Sequence, residues 1–436
     1  MIGLKKKSHY PEFNIPMIQL YSLETLKEQL RVQNYPPAFL DNPQFTDGLS
    51  SLTKSGLPTP RNEEWKYFPL NSLLMADYAL PFVSSKQYEP KQFQPFVATA
   101  HHLVIINGNY VQSDTFENIK GLTVITEHSP TLNIVTNPSD NPFPILNALL
   151  HKDRIVLSID EEYDLSTPIH ILHIIESDDS MPLLASPTIA INLAKNAKAK
   201  IIESYHVLHV KKGLINTSFS VHADQDSELH HIIIQDALQD CALIYNCESI
   251  VKGNAKVQDH VIVHDSNKVR NTITGKLVEE HALYNIYGIV SGDKQSLIDN
   301  HTIVDHIAPH CESNELFKHV LDESSTAVFN GKIFVRLDAQ KTNAYQSNRT
   351  LLLSPKATIN TKPQLEIFAD DVKCSHGATT GSVDEEALYY LRARGIPREV
   401  GMRLLTDAFI GEVIQLIEIE ELQSYFTDSL LIRSGG

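Results

Sequence analysis

The chain has 436 residues, with 37 basic and 53 acidic side chains, so its formal charge is 37 − 53 = −16. This balance disfavours nucleic acid and anionic membranes as partners, because like charges repel. No run reaches the roughly 20 apolar residues of a membrane span, and residues 1–10 lack the apolar stretch of a secretory signal. With only four cysteines, we expect a cytoplasmic protein with reduced thiols.

Residues 1–95 are predicted to form a helical N-terminal region. Segments with helical spacing of apolar residues, such as 22–31, are separated there by prolines and glycines. The single tryptophan, Trp65, lies in the segment 61–70. We expect it to be a buried aromatic anchor for this region.

Residues 96–378 are predicted to be mainly β-strand. Runs rich in Val, Ile, Tyr and Thr follow one another, for example at 103–107, 229–234, 261–264 and 332–336. A small residue followed by polar and apolar alternation recurs at intervals of 30, 28, 27, 45 and 30 residues, at Ala197, Ser227, Ala255, Ala282, Ala327 and Ala357. Such a repeat without helices favours a β-solenoid, and a β-sandwich remains the alternative.

Residues 379–436 are predicted to form a C-terminal helical region. Ser382 and Glu385 have the spacing of a capping box, and Gly395 is placed to end that helix. A broad apolar stripe on the next helix includes Leu405, Phe409 and Val413. Two amphipathic helices can cap the strand region or bind a partner protein.

Motifs for nucleotide binding and for serine hydrolases are missing from the sequence. It has no G-x-x-x-x-G-K-[ST], no G-x-G-x-x-G after a strand and no G-x-S-x-G. We therefore expect no nucleotide to be bound by this chain alone.

A histidine-rich stretch is found at His301, His306, His310 and Cys311, around Asp305. Pro309 argues against a helical metal site there, so we interpret these residues as turn side chains, with metal ligation as the alternative.

Cys374 and His376 are the sharpest candidate site residues. Two positions apart on a strand, they project from the same face. A thiolate beside an imidazole supplies half of a soft-metal site, suited to an iron–sulfur cluster or zinc. The other ligands must then come from another segment or another chain. The alternative is a cysteine that packs as a small apolar side chain beside a hydrogen-bonded histidine.

Several segments resemble one known family. The segments 329–335, 339–348, 362–379 and 389–396, together with 61–67, closely resemble the SufB/SufD family of iron–sulfur cluster assembly scaffold proteins. The resemblance is densest from about 320 to 415. It implies a mainly β fold, with a right-handed parallel β-helix between N-terminal and C-terminal helical regions. The 373–378 segment, and leucines in 348–354 where SufB-like chains place a cysteine, are closer to the SufD branch.

The resemblance also implies partners and site residues. It implies a non-catalytic subunit that pairs through β-edges with a SufB-like sister subunit, and forms a homodimer when isolated. A SufC-like ABC ATPase, which hydrolyses the ATP, is expected on the C-terminal helices at Leu405, Phe409 and Val413. His376 is expected to bind iron or a transient cluster shared with SufB, and Cys374 to be a nearby thiol.

Two other functions remain open from the sequence. Solenoids of strands also occur in carbohydrate-active enzymes, which use paired carboxylates. Asp370 and Asp371 are adjacent, so on a strand they would point to opposite faces and make a poor catalytic pair. The histidine-rich core would suit a stand-alone metal-binding protein, which should contain metal when it is isolated.

Overall fold

A computed structural model of the chain describes residues 17–80, 96–111, 116, 119–130, 140–177 and 181–433. The segment 1–10, in which no secretory signal was found, lies outside the described residues, as does 81–95 at the end of the predicted N-terminal region. Within the described part, no helix has both the length and the apolar character needed to cross a bilayer.

The described elements are mostly strands, preceded and followed by helices. The helices are α1 Leu26–Val32, α2 Pro37–Leu40, α3 Pro43–Ser55, α4 Asn71–Leu74, α5 Phe143–Leu150, α6 Glu385–Ala393, α7 Arg398–Ile414 and α8 Glu420–Arg433, with 3-10 turns at Leu23–Thr25 and Glu63–Trp65. The first strands are β1 Met17–Gln19, β2 Asp77–Ala79, β3 His101–Ile106, β4 Asn109–Val111, β5 Leu122–Glu127, β6 Arg154–Ile159, β7 Asp164–Glu176, β8 Leu183–Ala185 and β9 Thr188–Leu193.

The remaining strands are long and regularly spaced along the chain. They are β10 Lys198–Leu208, β11 Gly213–Ala223, β12 Glu228–Asp236, β13 Cys241–Val251, β14 Lys256–His264, β15 Lys268–Leu277, β16 Leu283–Gly292, β17 Leu297–His306, β18 Glu312–Leu321, β19 Thr326–Val335, β20 Asn343–Leu352, β21 Thr358–Ile367 and β22 Lys373–Ser382. Each of the four strand segments predicted above falls on one of these elements or on β3.

From β9 onward, successive strands alternate between two sheets, and the core is a solenoid of about eight turns. Sheet A has 12 strands and runs along the path β1-β2-β8-β11-β13-β15-β17-β19-β21, with β5, β6 and β9 attached. Sheet B has 10 strands in the order β22-β20-β18-β16-β14-β12-β10-β7-β3-β4. Among the strands β10 to β22, all pairings are parallel and in register. The predicted parallel β-helix between helical ends is confirmed, and the β-sandwich alternative is wrong.

The space between the two sheets, which we call the lumen, holds the largest apolar core. Side chains on a strand alternate between faces, so every second residue enters the lumen. Its apolar members include Ile201, Val257, Ile273 and Phe317, all with less than 2% of their surface exposed. The lumen also contains charged and polar side chains, which are described with the functional site below.

One corner of each coil is a residue with left-handed backbone conformation. These residues are Asn196, Asp226, Asn254, His281, His310 and Lys341, with φ between 55° and 63°. Four of the predicted repeat residues directly follow this corner, from Ala197 to Ala282, and Cys311 and Thr342 continue the series. Ala327 and Ala357, by contrast, belong to the entry of strands in sheet A. The 45-residue interval runs from Ala282, at the start of a strand in sheet B, to Ala327, on a strand in sheet A. It therefore does not measure the length of one coil.

The N-terminal helices pack on the outer face of sheet A. Trp65 is 1% exposed, as predicted, and its Nε1 donates to the Asp140 carbonyl at 2.7 Å. The Arg270 guanidinium from β15 lies 3.8 Å from the centre of the Trp65 rings. Next to them, Glu64 accepts from Asn330 and Lys332, both at 2.9 Å. The N-terminal segment thus holds strands from several coils together.

The C-terminal helices pack on the outer face of sheet B. Ile410, Val413 and Ile414 of α7 are buried against apolar residues of β16 and β18. The helix α6 begins after Asp384, whose side chain accepts hydrogen bonds from the amides of Glu386 and Ala387. Ser382 is instead the last residue of β22, so the predicted capping residue was wrong by two positions. Gly395, at φ 85°, follows α6 as predicted.

Candidate functional site

The predicted site residues lie on the last strand of the solenoid. Cys374 and His376 are on β22, and they pair in register with Ala344 and Gln346 of β20. Both face the lumen side, where Cys374 packs against the apolar core. His376 is exposed, because no described strand follows β22 in sheet B. Burial raises the pKa of the Cys374 thiol, which disfavours the thiolate in the isolated chain.

A column of polar side chains lies directly beneath His376. The paired positions on three successive strands of sheet B are Glu315, Gln346 and His376. Gln346 Nε2 donates to Glu315 Oε1 at 3.1 Å, and Thr302 Oγ1 donates to Glu315 Oε2 at 2.5 Å. Glu315 is fully buried, and burial raises its pKa to about 7, although both hydrogen bonds act to lower it. The Gln346 amide crosses the lumen to Gly331, where an added Cβ would stand 2.3 Å from Nε2.

A second group of charges is buried deeper in the lumen. Glu203 has His173 Nε2 at 2.8 Å and His231 Nε2 at 3.4 Å, and His231 Nδ1 lies 3.1 Å from Asp259. Burial acts to raise the pKa of Glu203 and to lower the pKa of His231. The two histidines nevertheless lower the pKa of Glu203, and the two carboxylates raise that of His231 to about 9. Hydroxyls donate to these carboxylates from Tyr205, Tyr245 and Tyr284.

The histidine-rich stretch does not converge on one point. His301 lies outside the lumen, 3.3 Å from Glu64 and 2.9 Å from Asp299. His306 is buried against Ser313, and burial lowers its pKa to about 4. The exposed ring of His310 stacks on His281, with ring centres 5.1 Å apart. Among the described residues, no group of three or more His, Cys, Asp or Glu side chains is arranged to hold a metal ion.

The other candidates from the sequence lie on the surface or in turns. Asp370 and Asp371 fall in the exposed turn between β21 and β22, and Asp371 pairs with Lys341. They lie in a turn and not on the strand that was expected for them from the sequence. All four cysteines are free: Cys241, Cys247, Cys311 and Cys374.

The three residues predicted to contact an ATPase differ in exposure. Val413 is 1% exposed and packs on sheet B. Phe409 is half-buried, and the Lys318 ammonium lies 4.9 Å from its ring centre. Leu405 is half-exposed, and its neighbour Leu404 is 44% exposed. Part of the apolar stripe thus faces the solenoid and part faces outward.

Sequence reasoning did not single out Glu315, Gln346 or Thr302. The signal that could have found the first two is their spacing from His376. The intervals are 376 − 346 = 30 and 346 − 315 = 31 residues, which match one coil of the repeat. Residues one coil apart lie side by side, at the strand separation of about 4.8 Å.

Comparison with known proteins adds to this geometry. The family model for the SufBD core domain of SUF-system FeS cluster assembly matches residues 173–409. An iron–sulfur cluster assembly SufBD family protein of Synechocystis is 30% identical over 97% of this chain and 96% of its own length. The iron–sulfur cluster assembly protein SufD of Escherichia coli is 28% identical over 88% of this chain and 90% of its own length.

Proposed function

This chain belongs to the SufBD family of iron–sulfur cluster assembly proteins, and on that basis we propose that it is a SufD-type scaffold subunit. In this role it carries no catalytic centre of its own. It pairs with a SufB-like subunit, and a SufC-like ATPase supplies the energy of ATP hydrolysis. Iron or a nascent cluster is the cargo, held transiently between the two scaffold chains in the cytoplasm.

The observation that carries this proposal is the position of His376 at the open end of the lumen. An exposed imidazole with a thiol two residues away offers two ligands, which is fewer than a stable iron site needs. We propose that the missing ligands come from another chain. A partner that stacks on β22 would bring its own side chains opposite His376 and Cys374.

The strands β21 and β22 support the proposed mode of pairing. They are the terminal strands of sheets A and B among the described residues, so each has one edge whose backbone N–H and C=O groups lack a strand partner. Such edges readily pair with another chain. We propose that the SufB-like subunit occupies this end, and that a second copy occupies it when the chain is alone.

The ATPase is proposed to bind the outward side of the C-terminal helices. Leu405 and Phe409 are placed for this contact, and Val413 supports it by fixing α7 to sheet B. Exposed aromatic residues on α6 are further candidates for this contact, with Tyr389 72% and Tyr390 57% exposed. Exposed aromatic side chains of this size are typical of protein-binding surfaces.

The test is cluster assembly by the reconstituted complex with His376→Ala. We expect the yield of cluster to fall about tenfold or more, as is usual when a metal site loses a ligand or its support. Cys374→Ala should have a smaller effect. Ser375→Ala is the matched control, since Ser375 is exposed on the opposite face of the same strand. An unchanged yield with His376→Ala would remove the basis for this proposal.

A further inference from the structure

Gln346 lies one coil beneath His376, and one of its two amide atoms has no partner. Its Nε2 donates to Glu315, whereas Oε1 is buried and forms no hydrogen bond within the described part of the chain. A buried acceptor without a donor costs about 1–3 kcal/mol. A hydrogen-bond donor near Gln346 Oε1 would remove this cost, and the hydrogen bonds described above do not supply one.

The contacts of Glu315 determine which way the Gln346 amide points. One Glu315 oxygen accepts from Thr302 and the other faces Gln346. The ionised carboxylate, which prevails above about pH 7, can only accept, so the amide nitrogen is then the atom turned toward it. The amide oxygen diverges from the nitrogen at Cδ. It therefore does not face Glu315, and it lies in the space that the missing Cβ of Gly331 leaves free.

The next coil at this position is β22, and the residue paired with Gln346 is His376. Both side chains are on the lumen face, about 4.8 Å apart along the stack. The other lumen-facing residues nearby, Cys374 and Ala378, pair with Ala344 and Asn348 instead. An imidazole N–H is the donor that this register offers to the amide oxygen.

We propose that Gln346 is a positioning residue for His376. Its Oε1 accepts a hydrogen bond from one imidazole nitrogen, which fixes the tautomer of the ring and leaves the other nitrogen for the open end of the lumen. Histidines that bind metals usually donate their second N–H to an oxygen in this way. The purpose of this arrangement rests on the proposed function, whereas the hydrogen bond needs only a rotation of the exposed His376 ring and no partner chain.

The test is nitrogen NMR of the full chain with ¹⁵N-labelled histidine, in which His376→Gln identifies the His376 signals. We expect a single neutral tautomer of His376 in the unmodified chain and both tautomers in Gln346→Leu. Gln346→Glu keeps an acceptor and should keep one tautomer. Thr350→Val is the matched control, because Thr350 is a buried polar residue on the same face of β20 that pairs with Thr380. It should leave the tautomer unchanged.

A further variant keeps the test decisive if Gln346→Leu does not fold. Glu315→Gln replaces a pure acceptor by a group that also donates, so the Gln346 amide loses its fixed orientation and both tautomers of His376 should appear. The proposal is overturned if His376 already samples both tautomers in the unmodified chain, or if every foldable variant gives the same spectrum.

Cluster assembly separates this inference from the proposed function. We expect Gln346→Leu to lower the yield of cluster in the reconstituted complex about tenfold, and Gln346→Glu to restore most of it. If His376→Ala leaves assembly intact while the tautomer responds to Gln346, the proposed function fails and the hydrogen bond stands. If His376→Ala abolishes assembly while the tautomer ignores Gln346, the positioning role fails alone.

Discussion

Glu315 is a buried carboxyl group that faces no cationic side chain in the part of the chain that the structure describes. The groups that act on it are Thr302 and Gln346, both uncharged. The deeper pair of Glu203 and His231 shows the contrast, because there each charge has a partner of opposite sign. A carboxylate without such a partner loses its hydration and regains little in exchange. Its ionisation therefore opposes folding.

This cost predicts that stability falls as the pH rises through neutrality. The pKa of Glu315 is about 7 in the folded chain, against 4.5 for the free side chain. The stability that depends on a protonated Glu315 is fully present below about pH 4.5 and is lost as the pH rises through 7. The full effect is about 3 to 4 kcal/mol, since the pKa differs by 7 − 4.5 = 2.5 and each unit of pKa corresponds to about 1.4 kcal/mol.

The measurement is chemical denaturation at pH 5 and pH 8. Glu315→Gln cannot ionise, so its loss of unfolding free energy between these pH values should be smaller than that of the unmodified chain. Glu312→Gln, an exposed residue of the same strand, controls for removal of a carboxylate. Identical pH dependence in the unmodified chain and Glu315→Gln would contradict a buried, unpaired charge at this position.

The helix α7 has two contact surfaces. Val413 and its buried neighbours attach it to sheet B, where Lys318 also reaches the Phe409 carbonyl at 2.5 Å. Leu404 and Leu405 lie on other parts of the helix circumference and are at least partly exposed. A single apolar stripe in the sequence therefore contains residues of two kinds, those that attach the helix to the solenoid and those that are exposed to solvent.

Substitutions on the two surfaces should have opposite consequences. Leu405→Arg is expected to weaken ATPase binding about tenfold or more while leaving the unfolding midpoint nearly unchanged. Val413→Ala should lower the unfolding free energy by roughly 2 kcal/mol through lost packing, with ATPase affinity preserved. Titration calorimetry and thermal unfolding of the same samples check both. Equal affinities for Leu405→Arg and the unmodified chain would place the ATPase elsewhere.

The elements differ in how well the sequence predicts them. Long strands from β10 onward were predictable, because each coil repeats the alternation of its neighbours. The repeat faded between about 100 and 190, where β5 pairs antiparallel with β6 and α5 is inserted. All eight residues of α5 are buried, so no polar face marks it as a helix. The helix α8 was not predicted, and it completes the packing of the C-terminal region.

The candidate site was predictable only in part. Cys374 and His376 were found because the two-residue spacing and the family resemblance concern one strand. Gln346 and Glu315 occupy the positions that align with His376 on the two preceding strands of sheet B, and this alignment depends on an exact register that composition does not reveal. The capping residue of α6 was misplaced for a related reason, since the pairing of Ser382 with Leu352 extends β22 beyond the expected helix start.

In the described part of the chain, helices cover both outer faces of the solenoid and leave the β21–β22 end open. The opposite end is different, since sheet B finishes there in the antiparallel pair of β3 and β4. A repeat stack gains stability from each neighbouring coil. The last coil has one neighbour fewer than the coils inside, which favours its contact with another chain.

An arginine at the open end should separate two copies of the chain. Ala378 is exposed on the lumen face of β22, so Ala378→Arg places a charge within the proposed contact. We expect light scattering after size-exclusion chromatography to give the mass of one chain for this variant and twice that mass for the unmodified chain. Val32→Arg, at an N-terminal site that is 61% exposed, should remain dimeric. A dimeric Ala378→Arg would locate the contact elsewhere.

The difference between the two ends of the solenoid also limits how many subunits can associate by stacking. A stack of strands with two equivalent ends can extend into a fibre, whereas one with a single receptive end closes after one addition. A copy of this chain and a sister subunit would then compete for the same place. The ratio at which the two chains are produced would then determine how much of this protein enters the mixed complex. Any excess of this protein would remain as the homodimer.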